Sequence, residues 1–184
     1  VIRFLIMVAA VVFLAWLIIT FALKKVSVIG SSMETTLYNG EDVIVNKTSY
    51  VLFSPKRNQI IAFYPEAQDE EETTNSDSMI HIRRVAGLPG EKVQIKNGKL
   101  YINGEEQKEK YDFEAMHSGG RAVNEITLKD DEYFVLSDSR NDMDDSRNSS
   151  FTKVTKKNII GKVILRLDPF SLIGGPTAED KKTE

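Results

Sequence analysis

The sequence predicts a mainly β, antiparallel domain carried behind one N-terminal transmembrane helix. Three observations lead there: a long apolar run at the start, a series of short Val-, Ile- and aromatic-rich runs after it, and Asn-Gly pairs between those runs.

The apolar run, "FLIMVAAVVFLAWLIITFAL", extends from Phe4 to Leu23 and is interrupted only by Thr20. About twenty such residues, rising about 1.5 Å each as a helix, cross the hydrocarbon core of a bilayer. Lys24 and Lys25 end it abruptly, as charge at an interface does. A cleavable signal peptide would have a shorter apolar stretch and a small-residue cleavage site, and here "KKVSV" follows instead. Residues 1–25 are therefore expected to be an uncleaved anchor in the lipid bilayer. Arg3 on one side and Lys24 and Lys25 on the other do not set its orientation, because long domains cross largely regardless of such counts.

Residues 26–170 are expected to form the β domain. Its strands are "DVIVN" (Asp42 to Asn46), "QIIAFY" (Gln59 to Tyr64), "MIHIRRVA" (Met79 to Ala86), "KVQIK", "KLYIN", "EYFVLSD" (Glu132 to Asp138) and "IIGKVILRL" (Ile159 to Leu167). Asn97-Gly98 joins "KVQIK" to "KLYIN" and is the strongest short hairpin signal; Asn103-Gly104 turns the chain again. No segment after the anchor keeps a helical period. The acidic stretch Pro65 to Ser78 lacks aliphatic bulk and reads as a surface loop, and residues 171–184 read as a C-terminal tail.

Composition excludes several function classes. The net charge is −3, so no nucleic-acid partner is expected. With no cysteine, disulfide frameworks, thiolate metal sites and cysteine nucleophiles are ruled out. "DSRNDMDD" fails as a calcium loop, because its sixth position is Met143 and its twelfth Ser149. No metal and no cofactor are expected.

Chemistry concentrates in three boxes. The first, "VIGSSMETTLYNGEDVIVNK", lies just beyond the anchor. By itself, Ser31 with Glu34 three residues on reads as a capping box. The second is "RRVAGLPGEKV" and the third "SDSRNDMDDSR", Ser137 to Arg147.

Taken together, in this order and behind an anchor, these boxes resemble type I signal peptidases, membrane serine endopeptidases with a Ser–Lys dyad. The resemblance covers nearly the whole chain. It implies the signal peptidase catalytic-core fold, exported preproteins as substrates, and a β domain on the outer side of a bacterial cytoplasmic membrane. Gly30-x-Ser32-Met33-x-x-Thr36-Leu37 matches the nucleophile box, so Ser32 is implied as nucleophile, its own N–H contributing to the oxyanion hole. Gly30 falls where some relatives carry a second, hydroxyl-bearing oxyanion donor. Arg84, Asp138, Arg140, Asp145 and Arg147 match positions that form ion pairs, a scaffold that strands a charge if one partner is lost.

Arg83 stands where the family keeps its lysine. A lysine can lose its proton when desolvated, whereas a guanidinium has no accessible neutral form. The serine that hydrogen-bonds that lysine falls on Met143. Ser137 and Ser139 replace the Gly and Asn of Gly-Asp-Asn-Arg, Thr35 replaces a usual proline, and "RNQII" replaces an Arg-Gly-Asp strand start. Two functions are therefore open: a signal peptidase with a remodelled base, or a non-catalytic or weakly catalytic relative that binds exported substrates, for example pilin subunits during pilus assembly. As an alternative base, His81 lies on the same face as Arg83, about 6.5 Å along the strand. Lys92 and Lys96 belong to a solvated hairpin pattern.

Overall fold

In a computed structural model, the chain is described over residues 2–64, 80–109 and 111–173. The acidic segment Pro65 to Ser78 and most of the expected tail lie outside the described residues.

Helix α1 (Ile2–Ala22) has a mean hydropathy of 2.9 over its most apolar window, carries one charge, Arg3, and is not buried against the rest of the protein. It is long and apolar enough to cross a membrane. The helix ends one residue before the apolar run does. Leu23–Ser27 is strand β1, paired along its whole length with β2 (Asp42–Asn46). Lys24 and Lys25 thus lie within a strand, and Lys25 Nζ is 2.7 Å from Asp42 Oδ2.

The remaining strands are β3 (Ile60–Phe63), β4 (His81–Gly87), β5 (Lys92–Lys96), β6 (Lys99–Ile102), β7 (Glu105–Glu106), β8 (Ile126–Thr127), β9 (Glu132–Leu136), β10 (Val154–Thr155), β11 (Ile159–Arg166) and β12 (Ser171–Leu172). The larger sheet has the order β1-β2-β11-β3-β4-β9-β10, with β12 on β11; the smaller has β7-β6-β5-β8. Every pairing is antiparallel. Ser171–Leu172 pairs with Leu165 and Arg166, so the sheet continues past residue 170.

Both Asn-Gly pairs make hairpins. Asn97 and Gly98 have φ of 50° and 75°, Asn103 and Gly104 of 52° and 84°, the positive values that a type I′ turn requires. Alternation along β3 splits the core. Ile60 and Ala62 pack with Val26, Val43 and Ile82, whereas Ile61 and Phe63 pack with Val85, Tyr133 and Val135. A third cluster, around Val93, Leu100 and Phe134, joins the small sheet to the large one. β4 belongs to all three through Ile82, Val85 and Ala86, which makes it the rigid element on which a site can be built.

Candidate active site

A turn over residues 30–37 follows β1. Its hydrogen bonds run from Glu34 N–H to the Ser31 carbonyl (2.9 Å) and from Thr36 and Leu37 N–H to the Met33 carbonyl (3.0 and 2.8 Å). Backbone thus closes the turn where the sequence suggested a side-chain capping box at Ser31 and Glu34. Met33 and Leu37 anchor it in the core. Gly30 has φ of 87° and donates its N–H to Asn39 Oδ1 at 2.9 Å. A Cβ there would meet nothing within 4 Å, so backbone conformation and not space selects glycine. Thr35, at φ of 79°, holds a conformation that proline cannot adopt. Asn58, at the glycine position of the Arg-Gly-Asp pattern, has φ of 68°, which asparagine tolerates best among non-glycine residues.

The loop from Ser137 to Arg147 holds this turn from behind. Ser139 N–H donates to the Ser32 carbonyl at 3.0 Å, and Thr36 Oγ1 donates to Asp138 Oδ2 at 2.6 Å. Asp138 also receives Arg84 Nε and Nη2, at 2.7 and 2.6 Å. Arg147 uses all five of its N–H bonds, on both Asp145 oxygens and on the carbonyls of Ser118, Arg140 and Asp142. Arg140 pairs with Glu109 at 2.6 Å and lies 4.0 Å from the centre of the Phe113 ring. Glu109 and Phe113 are partners that the sequence reading did not single out.

The turn and β4 face each other across a cavity of about 180 Å³ lined by Val28, Ile29, Ser32, Met33, Ile80, His81, Ile82, Arg83 and Asp144. Ser32 is buried in its wall. Among the described residues His81 to Arg83 present a strand edge here, since β4 pairs with β9 only from Arg84 onward. The cavity holds three of the residues weighed in the sequence, Ser32, Arg83 and His81, together with Met33. Met143 lies elsewhere, its Cε beside Gly120. Lys92 pairs with Glu125 and Lys96 sits over Tyr101, both on the small sheet.

The residue that meets Arg83 is the next one, Asp144. Arg83 Nε donates to the Asp144 carbonyl (2.6 Å), Nη2 to the Asp144 carboxylate, and Nη1 to the Ile82 carbonyl (2.6 Å). The Arg83 pKa is lowered by burial against the pull of Asp144, Asp145 and Asp142, and the guanidinium stays charged because it has no accessible neutral form. Asp144 was not singled out in the sequence, because "DMDD" leaves Asp142 as well as Asp144 once Asp145 is assigned to Arg147. His81 packs against both Phe63 and Phe151, ring centres 5.9 and 5.6 Å away, with Nδ1 4.0 Å from Asp144 Oδ2. Its pKa is lowered, first by burial and then by Arg83, against the pull of Asp144.

The family model described as "Signal peptidase, peptidase S26" matches residues 1–167. The chain belongs to this signal peptidase family. Signal peptidase I of Bacillus amyloliquefaciens is 35% identical over 169 residues, 88% of this chain and 85% of the relative. Signal peptidase IB of Staphylococcus aureus is 31% identical over 166 residues, covering 82% and 81%. The crystal structure of a signal peptidase I from Enterococcus faecalis is 29% identical and aligns with a TM-score of 0.42 over 59% of this chain and 96% of its own. Within this signal peptidase family, the structure adds what sequence alone left open: Arg83 is tied to a carboxylate and two carbonyls, and a histidine shares its cavity.

Proposed function

We propose that the protein is a membrane-anchored serine endopeptidase of signal peptidase I type that removes signal peptides from exported preproteins. In this reading α1 is the anchor, the β domain is extracytoplasmic, and Ser32 is the nucleophile. The observation that carries it is the buried Ser32 in a cavity whose apolar wall is Val28, Ile29, Met33, Ile80 and Ile82 and whose polar side is His81, Arg83 and Asp144, beside the edge of β4 that β9 leaves unpaired. An extended peptide adds to such an edge through main-chain hydrogen bonds. At about 180 Å³ the cavity is smaller than the ~300–1,000 Å³ of sites for drug-sized ligands, which suits a short side chain at the cleavage junction. Attack by the Ser32 hydroxyl on the scissile carbonyl forms an acyl-enzyme and releases the mature chain, and water then hydrolyses the ester. Arg83 contributes positive charge to the cavity and accepts no proton.

The test is cleavage of a purified preprotein by the full-length chain in detergent, followed on gels. Ser32→Ala abolishes mature product and leaves the thermal unfolding midpoint within about 2 °C of the parent, since the variant loses a hydroxyl and leaves the turn's backbone bonds intact. A second reading is favoured by the Arg83–Asp144 contact, which occupies the family's base position with a pair that cannot act as a base: binding of exported subunits, pilins among them, without cleavage. That reading requires Ser32→Ala to complement a deletion strain fully.

A further inference from the structure

We infer that His81, oriented by Asp144, is the general base that activates Ser32. This rests on the reading of Ser32 as a nucleophile and supplies the group that Arg83 cannot be. Four of the nine residues lining the cavity carry a polar or ionisable side chain: Ser32, His81, Arg83 and Asp144. Arg83 is a permanent cation. The carboxylate of Asp144 is occupied by Arg83. That leaves the imidazole.

Its surroundings fit the task. The faces and edges of the ring are set by Phe63 and Phe151, so the imidazole has a defined plane. Nδ1 is on the Asp144 side, 4.0 Å from Oδ2, too long for a hydrogen bond, and that oxygen also accepts from Arg83 Nη2. In the tautomer with its proton on Nδ1, Nε2 holds the free lone pair. The charged groups facing His81 are Arg83 from its own strand and Asp144 from the opposite loop; Phe63 of β3 and Phe151 carry no charge. Burial and Arg83 keep the ring neutral at pH 7, the state in which it accepts a proton.

The step balances as follows. The Ser32 proton passes to Nε2, directly or through one water, as the Oγ–C bond forms. The resulting imidazolium, stabilised by Asp144, returns that proton to the leaving amine as the C–N bond breaks. A water repeats the sequence on the ester, with Ser32 recovering its proton.

The experiment uses the full-length chain in detergent with two readouts: cleavage of a purified preprotein, and labelling of Ser32 by a fluorophosphonate, which needs the activated hydroxyl but no peptide. His81→Phe keeps the ring packing and removes the nitrogens, and His81→Gln is the second variant should the first fail to fold. The expected result is a loss of about 10²-fold or more in kcat and in labelling rate for both, with KM changed less than about threefold. In the parent, the rate falls as pH drops through the imidazole range. A His81→Phe protein that cleaves and labels at the parent rate overturns the inference and leaves the serine endopeptidase reading standing. Labelling that depends on His81 without preprotein cleavage keeps the inference and removes the preprotein. A parent that neither labels nor cleaves overturns both.

Discussion

Two consecutive aspartates in one loop hold two arginines in opposite ways. Asp145 and its partner Arg147 both have fully buried side chains. Asp144 is 54% exposed while its partner Arg83 is 4% exposed. In the first pair every N–H of the guanidinium is used, and Asp145 also accepts the N–H groups of Ser137 and Arg147. In the second, one carboxylate and two carbonyls serve three nitrogens, and water reaches the anion. The inner pair is a structural knot that fixes the loop behind Ser32. The outer pair puts charge into a cavity open to solvent. A buried pair is costly to break because the survivor is left unpaired, whereas a half-exposed one shares its charge with water.

Breaking the knot gives the largest effect. Asp145→Ala should lower stability by about 3–5 kcal/mol, read from urea unfolding, because Arg147 is stranded in the interior. A loss no greater than that of the outer pair would erase the distinction.

Asp144→Ala should cost less, about 1–2 kcal/mol, since Arg83 keeps both carbonyl partners and loses a half-solvated anion. The same change sharpens the comparison through chemistry. Arg83→Lys alone leaves the new ammonium against Asp144, which holds it charged. Only Arg83→Lys with Asp144→Ala should restore a lysine able to lose its proton, and the pair should cleave faster than either single variant.

The smallest effect concerns pH. The His81 pKa is lowered in the folded state, so the unfolded chain binds its proton more readily. Stability from this group is intact above the ordinary histidine value and is lost as pH falls below about 6.5. His81→Phe should remove that part of the acid-side slope between about pH 7 and 5, whereas the slopes of the two proteins should coincide above pH 7. Parallel curves throughout would show that the ring titrates as it does in water.

Much of this architecture was legible in the sequence. The β2 and β5 runs were bounded as they stand, and the Asn97-Gly98 turn set the β5–β6 register, because alternation and turn chemistry are local. β1 was not legible: Leu23–Ser27 takes the last residue of the apolar run and the two lysines that end it, and its strand is made by pairing with β2. β8, β10 and β12 are two residues each, too short to show a period. In the site, Ser32, Arg83 and His81 could be placed because strand periodicity and box order carry them. Asp144 could not. Attention fell on Met143, and which side chain of an irregular loop turns toward β4 depends on Asp145 being captured by Arg147.

The junction of α1 and β1 carries a consequence for how substrates are found. The helix ends at Ala22 and the strand starts at Leu23 with its full length paired, so no slack separates anchor from domain. From Ala22 to Ser32 is ten residues, at most about 36 Å even if fully stretched. With α1 in a bilayer, as proposed, the cleft stays within that distance of the lipid. A chain whose own hydrophobic segment lies in the same bilayer meets it by lateral diffusion in a thin layer, at an effective concentration that no freely dissolved peptide reaches. Selection among peptides then begins with location, before any side chain enters the cavity.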